Sequence, residues 1–454
     1  MNSLSSHQSV DRSGRDEKRT SRSKGPWLER LKHHPSNIRV AITGAGTMGK
    51  GLLHRCTTTP GFRCVALADH NLEKAIACAE SFDVSYRVVE TRAEMAEAID
   101  KGDLAVCEDG MLAARCERAD AFLEATGAIR EAGRFVETAI EVGTHVGMMN
   151  AEADLAFGPY LMQRADEEGV TYTSIDGDQH GVIRRLVNEL ELWGFDLVMA
   201  GNMKGYLDRY ANPTSIIPEA DKRNFDYRMC TSFTDGTKLC VEMALIANAL
   251  GLETPVPGMH GPKADHVTEV PDVFALKELY AEHGAVVDYI LEAEPGGGVF
   301  AVGYCDDPYL QDEMQTYKMG EGPFYVFYRP YHLCHVEALR SVAEAVLDGR
   351  TLLRPDRGFQ TNVYAYAKRD LEAGETLDGI GGYCCYGLIE NAGEQGGRPG
   401  VPICLIEGAE VTRDVSQDEK IRVSDVRIDP QRSDVQMYKK ARDVASAEAV
   451  PSLT

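Results

Sequence analysis

The sequence predicts an α/β protein: a parallel sheet with helices on both faces, an inserted α+β unit, and a small β-rich unit near the C-terminus. Three observations carry this. Between Arg39 and Asn150, apolar strand-length runs alternate with helix-length segments, the pattern of βαβ units. A glycine-rich turn, Gly44-Ala45-Gly46-Thr47-Met48-Gly49, joins the first run to the first helix. After Pro355 the texture changes to short strands and turns. A chain of 454 residues suits two or three such domains.

Residues 1–36 are polar and serine-rich, with basic residues at Arg12, Arg15, Lys18, Arg19, Arg22 and Lys24. They read as a disordered tail with a short helix near 27–31. The first strand, 39–43, then runs into the glycine turn. Gly44 permits the tight turn, Gly46 lets backbone come close to a pyrophosphate, and Gly49 lets helix and strand pack closely. Thr47 and Met48 open the helix, whose unpaired N–H groups and partial positive charge suit phosphates. A second strand, 63–68, ends in Asp69, about twenty residues on, where an acid that holds a ribose hydroxyl is expected. A Rossmann-type NAD(P)-binding domain over 37–150 follows from this context, with Thr126 and Gly127 at a further strand end beside the cofactor. Asp69 favours NAD over NADP on local electrostatics, because a 2′-phosphate there would meet a negative charge.

Residues 151–355 read as the catalytic domain. A helix over 152–168 is followed by a strand, 170–175, that ends in Asp176-Gly177-Asp178-Gln179-His180-Gly181. Another strand, 195–200, runs into Gly201-Asn202-Met203-Lys204. Polar side chains with glycines at strand ends suit a site. Asp235-Gly236-Thr237-Lys238 opens an apolar helix over 239–250. Asp235 or Thr234 can cap that helix. Lys238 in its first turn is electrostatically unfavourable unless an anion lies nearby. A strand, 325–328, enters Arg329-Pro330-Tyr331-His332, and a helix covers 334–347. Residues 356–430 read as the β-rich unit, folding separately, with strands at 361–368, 370–377, 401–405 and 410–412. Residues 431–454 read as a loose tail.

The formal net charge of -23 argues against nucleic acid or an anionic membrane as partner, since phosphates would be repelled. No stretch is apolar and long enough to span a bilayer, and the N-terminus lacks an apolar signal core. The expectation is a cytoplasmic homo-oligomer acting on a small molecule. The 12 cysteines, with no C-x-x-C, read as reduced thiols, and strand alternation points Cys384 and Cys385 apart. His332 and His335 could share a helix face as metal ligands, but no H-E-x-x-H pattern surrounds them.

Taken together, the glycine turn, Asp176-Gly177-Asp178-Gln179, Ala200-Gly201-Asn202-x-Lys204-Gly205, Asp235-Gly236-Thr237-Lys238, Gly258-Met259-His260-Gly261-Pro262 and Arg329-Pro330-Tyr331-His332 form a pattern. It resembles the homoserine-dehydrogenase-like oxidoreductases with a C-terminal SAF domain, a group that includes the deoxyxylulose-phosphate reductoisomerase-like enzymes. The resemblance covers residues 37–430, and Ala367-Lys368-Arg369-Asp370-Leu371-x-Ala373-Gly374-Glu375-x-Leu377 looks like the SAF signature. His180 stands where group members often have proline, which points to a different substrate choice.

The resemblance implies an NAD- or NADP-dependent oxidoreductase of a small polar substrate, with or without a phosphate. Its reductoisomerase-like relatives use NADPH. Lys204 and Lys238 are the candidates for polarising or protonating the reacting oxygen, and Asp178 for a base or metal ligand. Asp176, Gln179, Asn202, Asp235, His260, Arg329 and His332 are the candidates for binding substrate. A divalent metal fits a reductoisomerisation, since an α-hydroxy-ketone can chelate one, but no ligand spacing demands it. The alternatives are a deoxyxylulose-phosphate reductoisomerase-like enzyme of isoprenoid precursor synthesis and a non-catalytic nucleotide sensor. A pure sensor has no need for two lysines near a nicotinamide.

Overall fold

The computed structural model describes residues 25–223, 225–394 and 399–448. Its largest sheet is parallel and seven-stranded, in the order β3-β4-β2-β1-β5-β6-β7. The strands are β1 (Ile38–Thr43), β2 (Phe62–Ala68), β3 (Tyr86–Val88), β4 (Leu104–Cys107), β5 (Ala121–Glu124), β6 (His145–Met148) and β7 (Tyr172–Ser174). The central strands are buried almost throughout because helices cover both faces. β1 pairs with β2 on one side and β5 on the other. The chain therefore reverses its direction of growth at β1, and a crevice opens beyond the carboxyl ends of β1 and β5.

Helices α2 (Thr47–Thr58), α3 (Leu72–Glu80), α4 (Arg92–Asp100), α5 (Gly110–Ala114), α6 (Ile129–Glu141) and α7 (Ala151–Glu168) connect these strands. Their starts follow local chemistry. Asn71 accepts the Lys74 N–H, Thr91 and Glu94 form a capping box, and Asn150 accepts the Ala153 N–H. Before β1 stands α1 (Pro26–His33). Leu31 is buried against Gly61, and Arg30 binds Asp348 at 2.8 Å. The last part of the expected tail over 1–36 is therefore a docked helix; the basic run lies outside the described residues.

After β7, α8 (Gln179–Leu192) leads into a second, mixed sheet ordered β11-β10-β8-β9. Its strands are β8 (Asp196–Lys204), β9 (Val286–Leu291), β10 (Val299–Tyr304) and β11 (Phe324–Arg329). Between β8 and β9 run α9 (Ile217–Arg223), α10 (Tyr227–Thr234) and α11 (Thr237–Leu250). α11 is buried along nearly its whole length, as a helix apolar on all sides must be. It packs against α7, α8 and β9. The chain returns to the first sheet through α12 (Cys334–Glu337) and α13 (Leu339–Asp348). Leu339, Val342 and Ala343 join the core around β1, and Leu352 and Leu353 hydrogen-bond to the β7 backbone and Thr173.

The C-terminal part is an antiparallel pair, β12 (Thr361–Ala367) with β13 (Cys385–Asn391), and a shorter pair, β14 (Glu410–Val411) with β15 (Val426–Arg427). The strand expected at 370–377 is reduced to single bridges at Leu371 and Thr376, and 401–405 contains a tight turn, Ile403–Leu405. This part shares its core with α11, against which both β12 and β13 pack. The tail expected from 431 is helical: α14 (Ser433–Glu448) packs across α7 and α6 and buries Met437 and Ala441.

A buried ion pair joins α11 to the C-terminal part. Lys368 Nζ donates to Asp235 at 3.0 Å and to the carbonyls of Ala211 and Gly382 at 2.7 and 2.9 Å. Both side chains are buried and every ammonium proton has an acceptor, so the pair is tolerated. Removing one partner strands the other. Lys368→Met should cost about 3–5 kcal/mol in urea unfolding of the full chain, and adding Asp235→Leu should recover most of that loss.

Candidate active site

Two of the three motif glycines are demanded by the fold. Gly44 has φ +91°, and a Cβ there would lie 2.6 Å from the Ala125 carbonyl oxygen. At Gly49 a Cβ would lie 1.7 Å from the Gly44 carbonyl oxygen. Gly46 differs: its φ is -70° and a Cβ would meet only the Lys74 ammonium, at 3.8 Å. Its missing side chain faces open space at the start of α2, where no side chain caps the helix. Thr47 is exposed there and Met48 half-buried.

Asp69 does not stand as a free ribose acceptor. Its carboxylate accepts the Ala45 N–H at 2.7 Å and the Asn71 N–H at 3.0 Å, and its side chain is 5% exposed. It braces the glycine turn through these two contacts. Lys74, with its ammonium 3.9 Å from Asp69 and its side chain 49% exposed, is the cation beside the turn. Thr126 donates its hydroxyl and its N–H to Glu124, and its carbonyl accepts from Asn150. Gly127 has open space around it.

The charged cluster forms where α7, α8 and α11 begin. Lys238 Nζ lies 3.7 Å from Glu152, 3.8 Å from Asp178 and 3.8 Å from Glu242. These are the anions that the first-turn lysine requires. Burial opposes the charge on Lys238, but the three carboxylates outweigh it and push its pKa up, so it stays an ammonium. Burial also opposes ionisation of Asp178, yet Lys238, His180 and His332 hold it down to about 2. Glu242 goes the other way: burial and Asp178 raise its pKa well above the usual carboxyl range despite Lys238 and Lys204. His180, buried in the first turn of α8, is pushed down to about 4 by burial and is neutral, with Nδ1 unpartnered. Asn202 is buried and donates to the side-chain oxygen of Gln179. Lys204 closes β8 and contributes its field to Glu242.

One crossing brings this cluster to the glycine turn. Gly177, at φ +94°, lets the chain at Cys334 pass directly over the loop; a Cβ there would lie 2.2 Å from the Cys334 carbonyl oxygen. The next residue, His335, sets its ring against Gly51 in α2, where a Cβ would approach within 2.3 Å. His332 and His335 therefore part. His335 packs on α2, while His332 turns towards Asp178 and Cys334, with one donor atom of each residue within 4.8 Å of the others.

Four expected substrate contacts have other partners. Asp176 accepts from Arg185 at 2.9 Å and from the Gly177 N–H, and Arg185 also binds Glu344. Asp235 holds Lys368. His260 pairs with Asp288 at 2.9 Å. Arg329 is paired with Glu337 at 2.9 and 2.5 Å and stacks on Tyr331. Glu242, Cys334 and Glu124 are the members that reading the sequence missed, while Glu152 was marked only as lying at a strand end. The four-residue spacing of Lys238 and Glu242 was the one usable signal.

Residues 177–338 match the family model "Oxidoreductase DRL, catalytic domain". This stretch contains Asp178, Lys204, Lys238, Glu242, His332 and Cys334. Residues 177–338 are thus similar to an oxidoreductase catalytic domain. No curated protein matches the chain. Among solved structures, a homoserine dehydrogenase from Thiobacillus denitrificans is 16% identical, with 75% of this chain and 84% of that chain covered and a TM-score of 0.42. A probable dehydrogenase from Thermotoga maritima is 11% identical, with coverage of 69% and 90% and a TM-score of 0.41. Biliverdin reductase from Synechocystis sp. PCC 6803 is 16% identical, with coverage of 38% and 49% and a TM-score of 0.28. This chain thus spans about half the length of that reductase. The fold rests on the protein's own parallel sheet, to which likenesses of this size add nothing.

Glu124 makes this end of the sheet pH-sensitive. Burial pushes its carboxyl from 4.5 up to about 8 against the contacts of Thr126 and Asn150, and Oε2 has no partner. The native state then holds a proton that the unfolded chain releases, so stability falls as pH rises from about 4.5 to about 8. Glu124→Gln should flatten that fall, by at most about 1.4 kcal/mol per pH unit, in urea unfolding followed across this range.

Proposed function

We propose that the protein is an NAD(P)-dependent oxidoreductase that moves hydride to or from a small polar hydroxy or carbonyl substrate. The observation that carries this reading is the crossing at Cys334–His335, which runs from the loop of Asp178, beside the Lys238 ammonium, onto the helix that follows the glycine turn. The dinucleotide fits the residues present. Gly46 leaves room for a pyrophosphate, and α2 presents uncapped amides to it. When bound, the nicotinamide supplies or takes the hydride.

The chain's own residues do the rest. Lys238, permanently charged, faces the oxygen on which negative charge develops, and a preorganised ammonium stabilises it without reorganisation. Glu242, whose carboxyl burial pushes well above the usual range, lies 3.8 Å from the same ammonium. Lys204 adds a second positive field from the end of β8. Lys74 beside Gly46 favours the dinucleotide phosphates and accommodates NADPH.

Titration of NADH and NADPH by fluorescence tests the cofactor. Gly46→Val should abolish binding with the far-UV circular dichroism unchanged, because the fold leaves that space open. Retained affinity would sink the assignment. Lys74→Ala should weaken NADPH more than NADH. A screen of sugar phosphates and hydroxy acids then reads turnover, including any rearranged product. On the substrate it finds, Lys238→Met should lower kcat by roughly 10²–10³-fold while dinucleotide affinity holds.

A further inference from the structure

We infer that Asp178, His332 and Cys334 bind one divalent transition-metal ion of the zinc class. The inference concerns the cluster of the proposed activity, but its test reads metal binding and not turnover.

Three separate features point to a cation. The first is placement. Asp178 opens α8, and His332 and Cys334 come from the segment that crosses over it, so the three converge through tertiary structure. One donor atom of each lies within 4.8 Å of the other two. Donors bound tetrahedrally to zinc at about 2.0–2.3 Å stand about 3.3–3.8 Å apart, a spacing that small side-chain rotations reach.

The second feature is orientation. His332 Nδ1 lies 2.8 Å from the Gly297 carbonyl oxygen, so that nitrogen donates its proton. The proton sits on Nδ1, and Nε2 carries the free lone pair. A backbone carbonyl behind the ring is the arrangement that fixes the tautomer of metal-ligating histidines. Asp178 is likewise half-committed. One oxygen accepts the Gln179 N–H at 3.0 Å, and the other has only Lys238, at 3.8 Å.

The third feature is charge. Glu152, Asp178 and Glu242 face a single ammonium, none of them within hydrogen-bond length of it. Glu152 and Asp178 alone outnumber it, and a dication offsets that excess.

The donor set selects the ion. A sulfur, an imidazole nitrogen and a carboxylate oxygen suit zinc and its neighbours, whereas magnesium and calcium require oxygen ligands throughout. Three protein ligands leave a fourth position for water or a substrate oxygen. On binding, the Cys334 thiol gives its proton to solvent and its sulfur becomes the ligand; no redox change occurs.

Full-length protein stripped with a chelator is titrated with Co²⁺ alone. We expect one equivalent to bind with a near-ultraviolet thiolate-to-cobalt band, which Zn²⁺ erases and excess Mg²⁺ does not. Cys334→Ser should lose the band while circular dichroism stays native. His332→Ala should weaken Co²⁺ binding at least about tenfold. Absence of stoichiometric binding, a band that survives Cys334→Ser, or displacement by Mg²⁺ would each overturn the site. NADPH fluorescence on the same samples separates the two readings: intact cofactor binding without metal binding overturns the metal site alone.

Discussion

The ammonium of Lys238 is the point on which the arrangement depends. It sits in the first turn of a helix buried on nearly every side, where an uncompensated charge is costly. Compensation comes from three elements at once: Glu152 from α7, Asp178 from the loop before α8, and Glu242 from α11 itself. Satisfying one charge therefore fixes the parallel sheet, its return loop and the central helix relative to one another. The same compensation makes Lys238 a permanent cation, while burial and Asp178 push the Glu242 carboxyl well above its usual range.

Close backbone approach is the second constraint. Gly49 lets α2 pack onto the Gly44 carbonyl, and Gly177 lets the returning chain cross the loop after β7. Neither position admits a side chain. With Gly51 under His335, these contacts carry the inserted segment back over α2. The crossing also separates His332 from His335, which the helical spacing had grouped together.

The C-terminal part is bound into the same core. β12 and β13 lie against α11, Thr237 accepts the Gly387 N–H at 2.9 Å, and Lys368 reaches Asp235 from the far side. The apolar surface that α11 buries is thus supplied partly by residues more than a hundred positions later. A change of texture after Pro355 marks a change of architecture, yet the interface argues for folding together with the helix it covers.

The sequence by itself determined the local features. Alternating runs announced the parallel sheet, the glycines announced the tight turn and close packing, and an apolar stretch announced α11. These depend on backbone conformation and on side-chain periodicity, both of which short windows record. It also brought Asp178, Lys204 and Lys238 forward, because polar residues at strand ends and a cation in a first turn are locally anomalous. Only the tertiary structure decided partners. Asp69, Asp176, Asp235 and Arg329 looked free in sequence and are paired in space with Ala45, Arg185, Lys368 and Glu337. Glu152 and Cys334 looked ordinary and converge on Lys238 and Asp178. A charged side chain's role is set by which opposite charge lies within a few ångströms, and chain crossings, not spacing, set that distance.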